Sequence, residues 1–229
     1  MVFTSNVFLF LFLPVFLLVY YAVKDSWRSY VIVLGSYLFY AWWRPDFLLL
    51  FVAISYWNYW FGLLIKRRID ADDKKSAFRL LCLGVAGDLA ALGYFKYANF
   101  GVEVIAAALA PLGINTFTLE HVILPLGISF YVFQALSYIV DIYRKDAEPT
   151  RRFVDFAAFI ALFPQLVAGP ILRYSLIDQQ LKQRTHSMEL FSLGACRFML
   201  GFVKKVLIAD SLAVWTTDYK IDGFRFDLM

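Results

Sequence analysis

Charge, histidine and cysteine are all scarce in this chain. Asp, Glu, Lys and Arg make up 17% of its 229 residues, against about 25% in a typical soluble domain. That deficit argues against a soluble globular enzyme. The two cysteines, Cys82 and Cys196, sit inside apolar stretches. They build neither a disulfide framework nor a metal site, and each is expected to be a small buried packing residue. Of the two histidines, His121 precedes Leu124 in an apparent loop, and His186 lies in a polar Lys-Gln-Arg-Thr-His-Ser stretch. Neither stands at metal-ligand spacing with another ligand. There is no Gly-x-Ser-x-Gly elbow, no glycine-rich phosphate loop and no nucleic-acid module. No residue is assigned a catalytic or metal-binding role, and no cofactor site is evident.

What the chain has in excess is apolar surface. Hydrophobic residues reach 61% and aromatics 19%, with 24 Phe and 14 Tyr. Runs of about 20 mainly apolar residues are what a membrane helix requires. The first such run is Val7–Val23. A cleavable signal would need a basic segment before it and a small-x-small site after it. Met1–Asn6 has no Lys or Arg, and no such site follows, so the run is read as a retained span. Pro14 is tolerable in a membrane helix. Further runs are Tyr30–Trp43, Phe47–Ile65, Ala77–Ala98 and Leu124–Ile142. Gly101–Ile114, with Pro111 and Gly113, is too interrupted for a span and is read as a separate extracytoplasmic or partly buried helix.

The charges that remain are placed informatively. Lys66–Arg79 contains Lys66, Arg67, Arg68, Lys74, Lys75 and Arg79 beside Asp70, Asp72 and Asp73. Basic loops stay in the cytoplasm. Counting back from this loop puts the N-terminus outside, with Lys24 and Arg28 inside. Counting forward puts Arg144, Lys145, Arg151 and Arg152 inside as well. The net charge of +4 needs no anionic partner; the partner implied is the bilayer.

Phe153–Phe163 is too short to cross, about 16 Å at 1.5 Å per residue against a hydrocarbon core of about 30 Å. Pro164 interrupts it and Gly169-Pro170 adds a second break. A crossing here would also put Arg173, Lys182 and Arg184 outside, against the charge rule. A re-entrant hairpin resolves both conflicts. Irregular backbone at that depth survives only in protein or beside a polar cavity, so Pro164, Gln165, Gly169 and Pro170 are candidate cavity-lining residues. Beyond them, Glu189, Arg197, Lys204 and Lys205 share one face of a helix, as in an amphipathic helix that lies at the interface or faces a polar vestibule. No internal repeat is present, and residues 1–229 read as a single membrane domain.

Asp88 is a fifth candidate for the cavity. It lies near the middle of the fourth run, where an acid costs roughly 2.5–3.5 kcal/mol on insertion scales. Either it lines a polar path or it is bonded to a neighbouring helix. Lys96, eight residues on, is about 12 Å away along the axis and is expected to snorkel outward.

Five collinear stretches resemble the membrane-bound O-acyltransferases, and among them the alginate O-acetylation subgroup. They are Ser5–Phe10, Ser36–Pro45 (SYLFYAWWRP), Gly93–Phe100 (GYFKYANF), Leu124–Arg144 (LPLGISFYVFQALSYIVDIYR) and Phe163–Tyr174 (FPQLVAGPILRY). The resemblance implies an all-α polytopic fold in the bacterial inner membrane, the N-terminal portion of a multi-helix funnel whose catalytic histidine lies further along. It also implies an acetyl donor such as acetyl-CoA as substrate, no bound cofactor, and periplasmic polysaccharide-acetylation proteins as partners. Neither His121 nor His186 matches that histidine, so this stretch alone is expected to be inactive. A transporter or channel would use broken helices too, but it predicts repeated halves. A non-catalytic scaffold for periplasmic enzymes is the third reading.

Overall fold

The computed structural model describes residues 4–42, 44–109, 122–169, 172–177 and 184–212. Among these residues the regular structure is helical throughout. A π-helical turn over Phe8–Phe12 leads into α1 (Leu13–Ala22), followed by α2 (Asp25–Ala41), α3 (Asp46–Asp70), α4 (Lys74–Leu109), α5 (Ile128–Arg144), α6 (Phe153–Ala161) and α7 (Phe163–Ala168). Helix α8 (Met188–Val203) then runs into a π-helical stretch over Lys204–Asp210.

The chain forms two compact units. The larger holds Val15–Gln183. In it α3, α4 and α5 pack on one another, while α2 packs on α3, α6 and α7. Its centre is aromatic. Phe51 and Tyr131 meet edge to face at 4.8 Å, and Tyr138 and Tyr174 at 4.9 Å. Such pairs contribute about 0.5–1.5 kcal/mol each beyond their buried area. The smaller unit comprises Val2–Pro14 and Arg184–Met229. There Ser187 caps α8 by accepting from the Leu190 N–H at 3.1 Å, and no residue of α8 is buried.

In the larger unit the helix faces are inverted relative to a soluble bundle. On α2 the buried side carries Ser29, Gly35 and Ser36 with Ile32, Phe39 and Tyr40. Its outward side carries Trp27, Leu34, Leu38 and Trp42. On α3, Ser55, Asn58 and Gly62 are buried, while Leu49 is 78% exposed. A surface this apolar suits hydrocarbon rather than water. Helices α3 and α4 are each long and apolar enough to cross a bilayer. Both cysteines are exposed, Cys82 on α4 of the larger unit and Cys196 on α8 of the smaller, so the expectation that they are buried is corrected. In a lipid-facing helix an apolar neighbourhood does not imply the interior.

Two boundaries also differ from the sequence reading. Gly101 does not begin a new helix, because α4 runs unbroken through it for 36 residues, about 54 Å. A lone glycine costs a helix only about 1 kcal/mol, and no proline intervenes before Pro111. Helix α5 starts at Ile128 rather than Leu124, behind Pro125 and a left-handed Gly127 (φ 72°). The two basic loops meet at one end of the unit, as the charge rule requires. Lys66 pairs with Glu148 at 2.8 Å and with Asp70 at 3.1 Å, and the Tyr59 hydroxyl donates to the Arg151 carbonyl at 2.9 Å.

Candidate functional site

Helix α5 serves as a ruler for the expected hairpin. Phe156 packs on Tyr138, and the Phe159 carbonyl meets Gln134. Further along, the Leu166 carbonyl lies against Gly127, at the far end of α5. The chain then comes back. Tyr174 meets Tyr138 edge to face, and the Ser175 hydroxyl donates to Asp141 Oδ2 at 3.4 Å. From Asp141 to Gly127 is about 21 Å along a helix axis. The segment therefore enters, reaches that depth and returns on the side it came from, as a re-entrant hairpin.

The break inside it is not at Pro164. Leu162 leaves the helix (ψ 104°), and Pro164 sits in the first turn of α7, where its missing N–H is no loss. A helix continued through Pro164 would drive the ring into the Ile160 carbonyl, so the break falls upstream. The helical bond from the Phe163 N–H to the Phe159 carbonyl is thereby lost. Side chains from two other helices take its place. Phe163 N–H donates to Ser36 Oγ on α2 at 3.3 Å, and Phe159 O accepts from Gln134 Nε2 on α5 at 3.0 Å. Gln165 is buried, Gly169 ends α7 with its N–H on the Gln165 carbonyl at 2.9 Å, and Pro164 is exposed. Pro170 lies outside the described residues, as does His121. His186 is exposed.

Asp88 lies elsewhere, on the seam between α3 and α4. It is 1% exposed, and Asn58, opposite it on α3, is 0% exposed. Asn58 Nδ2 donates to Asp88 Oδ1 at 2.8 Å and to the Ile54 carbonyl at 3.1 Å. Asp88 Oδ2 and Asn58 Oδ1 have no partner among the described residues. Beside the pair is a cavity of about 230 Å³, open on one side and lined by Ala53, Ile54, Trp57, Gly87 and Asp88. Gly87 is there because Trp57 is close: a Cβ at 87 would lie 2.7 Å from the indole.

Helices α3 and α4 supply the whole of this lining, and α7 packs on α2, α5 and α6 without touching α4. Asp88 is thus not brought together with Pro164, Gln165 and Gly169. Sequence reasoning missed Asn58, Ser36 and Gln134, the three side chains that complete these two places. An amide at position 58 of an otherwise apolar run was the one signal that could have flagged the first.

The chain is 55% identical over 214 residues to a probable alginate O-acetylase, AlgI, of Pseudomonas syringae pv. tomato. The match covers 93% of this chain and 41% of that protein. The chain is similar to the alginate O-acetylases along almost its whole length. The probable AlgI of Azotobacter vinelandii is 54% identical over 215 residues, 93% of this chain and 42% of its own. A Helicobacter pylori peptidoglycan O-acetyltransferase is 31% identical over 246 residues, again over 93% of this chain and 45% of its own. The resemblance drawn from the five stretches is thereby borne out for an alginate O-acetylase-like sequence. The chain spans about two fifths of the length of these curated relatives. No protein-family model and no solved structure matches it.

Proposed function

We propose that the complete protein is a membrane-bound O-acyltransferase that carries an acetyl group across the bacterial inner membrane to an exported polysaccharide such as alginate. The donor is a cytoplasmic acetyl carrier such as acetyl-CoA, used as a substrate, and periplasmic polysaccharide-acetylation proteins complete the transfer. One observation carries this reading: the identity of 50–55% over 93% of the chain to proteins named alginate O-acetylase. The weaker 31% match to a peptidoglycan O-acetyltransferase makes alginate the preferred acceptor over peptidoglycan. The hairpin, with Pro164, Gln165 and Gly169, and the seam, with Asp88, are two separate places in lipid-facing helices, and each suits a wall of such a route.

On this reading the base that acyl transfer to a hydroxyl requires is neither His121 nor His186, and belongs to the part of the relatives' length that this chain does not span. In a strain lacking the full-length protein, these 229 residues alone should leave acetyl ester on the exported polymer at the level of the deletion, and the full-length protein should restore it. Ester restored by the 229 residues, or ester lost from peptidoglycan and kept on alginate, would overturn the corresponding part of the reading.

The proposed orientation has the N-terminus periplasmic and both basic loops cytoplasmic. Single cysteines at Thr4 and Ser76 in a Cys-free background should then react oppositely with an impermeant thiol reagent. Periplasmic labelling of Ser76→Cys reverses the map.

A further inference from the structure

The seam between α3 and α4 presents a hydrogen-bonding deficit with one economical solution. Asn58 Nδ2 has spent both its hydrogens, on Asp88 Oδ1 and on the Ile54 carbonyl. What is left on the two side chains is a pair of acceptors, Asn58 Oδ1 and Asp88 Oδ2, both buried. Two donors on the same stretch of α3 are already committed. Ser55 Oγ donates to the Phe51 carbonyl at 2.8 Å, and Trp57 Nε1 to the Gly84 carbonyl at 3.4 Å. An ionised carboxylate only accepts, whereas a carboxylic acid carries one donor. The two groups are already joined at one corner, and a carboxyl and a primary amide have matching planar forks.

We propose that Asp88 and Asn58 form a closed acid–amide ring: Asn58 Nδ2–H donates to Asp88 Oδ1, and a hydrogen on Asp88 Oδ2 donates to Asn58 Oδ1. The ring pairs both orphaned oxygens with a single hydrogen, and it needs neither water nor a counter-ion. It ties α3 to α4 at the point where Gly84 and Gly87 let Trp57 and Phe61 approach. It also leaves the adjoining cavity with an uncharged polar wall, suited to a neutral occupant rather than to a cation. Asp88 is on this account a structural clasp, and its hydrogen is held rather than passed on.

The test reads the carboxyl directly and does not depend on acyl transfer. Infrared difference spectra of the full-length protein in lipid, wild type minus Asp88→Asn at neutral pH, should contain the carbonyl stretch of an un-ionised acid, shifted in heavy water. The paired bands of a carboxylate in its place overturn the ring. A substitution series supplies the second arm. Asp88→Asn rebuilds the ring as two amides and should keep the wild-type thermal midpoint in detergent. Asp88→Leu and Asn58→Leu each strand a buried partner and should lower it, and the double Leu variant should fall no further than either single one. Unfolding of Asp88→Asn, or a double variant whose loss is the sum of the two, refutes the clasp.

Discussion

The hairpin of α6 and α7 and the seam of α3 and α4 both bury polar groups within helices that face hydrocarbon. In the hairpin the backbone is broken, and its orphaned N–H and C=O are met by Ser36 and Gln134 from two different helices. At the seam both helices are unbroken and the backbone is satisfied internally, yet the side chains leave two oxygens unmatched beside a cavity. A break in a helix advertises itself, and the fold covers it. An intact helix can carry a polar site that only a shared side-chain hydrogen completes. A helix break is therefore a guide to topology, and a lone acid is the better guide to a cavity.

The contrast predicts that substitutions of the residues supporting the hairpin rank above conservative ones at the seam. Gly127→Val should be worst. It puts a β-branched residue at φ 72°, with its Cβ 2.7 Å from the Leu166 carbonyl. Left-handed strain costs about 1–2 kcal/mol and overpacking about 1–3 kcal/mol, so little folded protein should be recovered by size-exclusion in detergent. A monodisperse Gly127→Val protein of normal stability would mean that the hairpin does not reach the start of α5.

Gln134→Leu comes next. It strands the Phe159 carbonyl, a loss of about 1–3 kcal/mol, while Ser36→Ala strands the Phe163 N–H and should cost toward the lower end, its bond being long at 3.3 Å. Thermal melts of both should fall below that of Asp88→Asn. The reverse order would make the seam, not the hairpin, the more demanding polar site.

The smallest loss of stability belongs to Asp73, outside both regions, in the loop between α3 and α4. It accepts from the Ser76 N–H at 3.1 Å at the start of α4, and its hydrogen bonds to Ser76 hold the carboxyl below its ordinary value. A carboxyl lowered on folding stabilises above its unfolded pKa and loses that contribution as pH falls through the folded one. Asp73→Ala should therefore lower the melting midpoint slightly near neutrality, and the difference from wild type should vanish on acidification. A gap that widened in acid would contradict the cap.

Much of the hairpin was legible because three independent signals converge on it: a helix too short to cross, a proline, and basic residues on the wrong side for a crossing. Its exact break was not. Proline marks where a helix cannot continue, but whether the chain turns before or at it depends on which neighbours can take up the freed backbone groups. Asp88 was legible as a single acid in an apolar run. Asn58 was not paired with it, since positions 30 apart are related only once α3 and α4 are packed. The burial of Cys82 and Cys196 was misjudged for a related reason: apolar residues line both the inside and the outside of a membrane bundle, so composition does not sort them.

What the sequence by itself determined is the helical, apolar character of the chain, the common side of the two basic loops and the re-entry of the α6–α7 segment. These follow from local properties, the rise of a helix, the cost of charge in hydrocarbon and the constraint of a proline ring, and they hold whatever the helices pack against. Only the tertiary structure decided which polar side chains meet. Ser36 and Gln134 lie 127 and 25 residues from the groups they satisfy, and Asn58 lies 30 from Asp88. Such pairings depend on helix rotation and on close approach at glycines such as Gly87, which no single helix specifies alone.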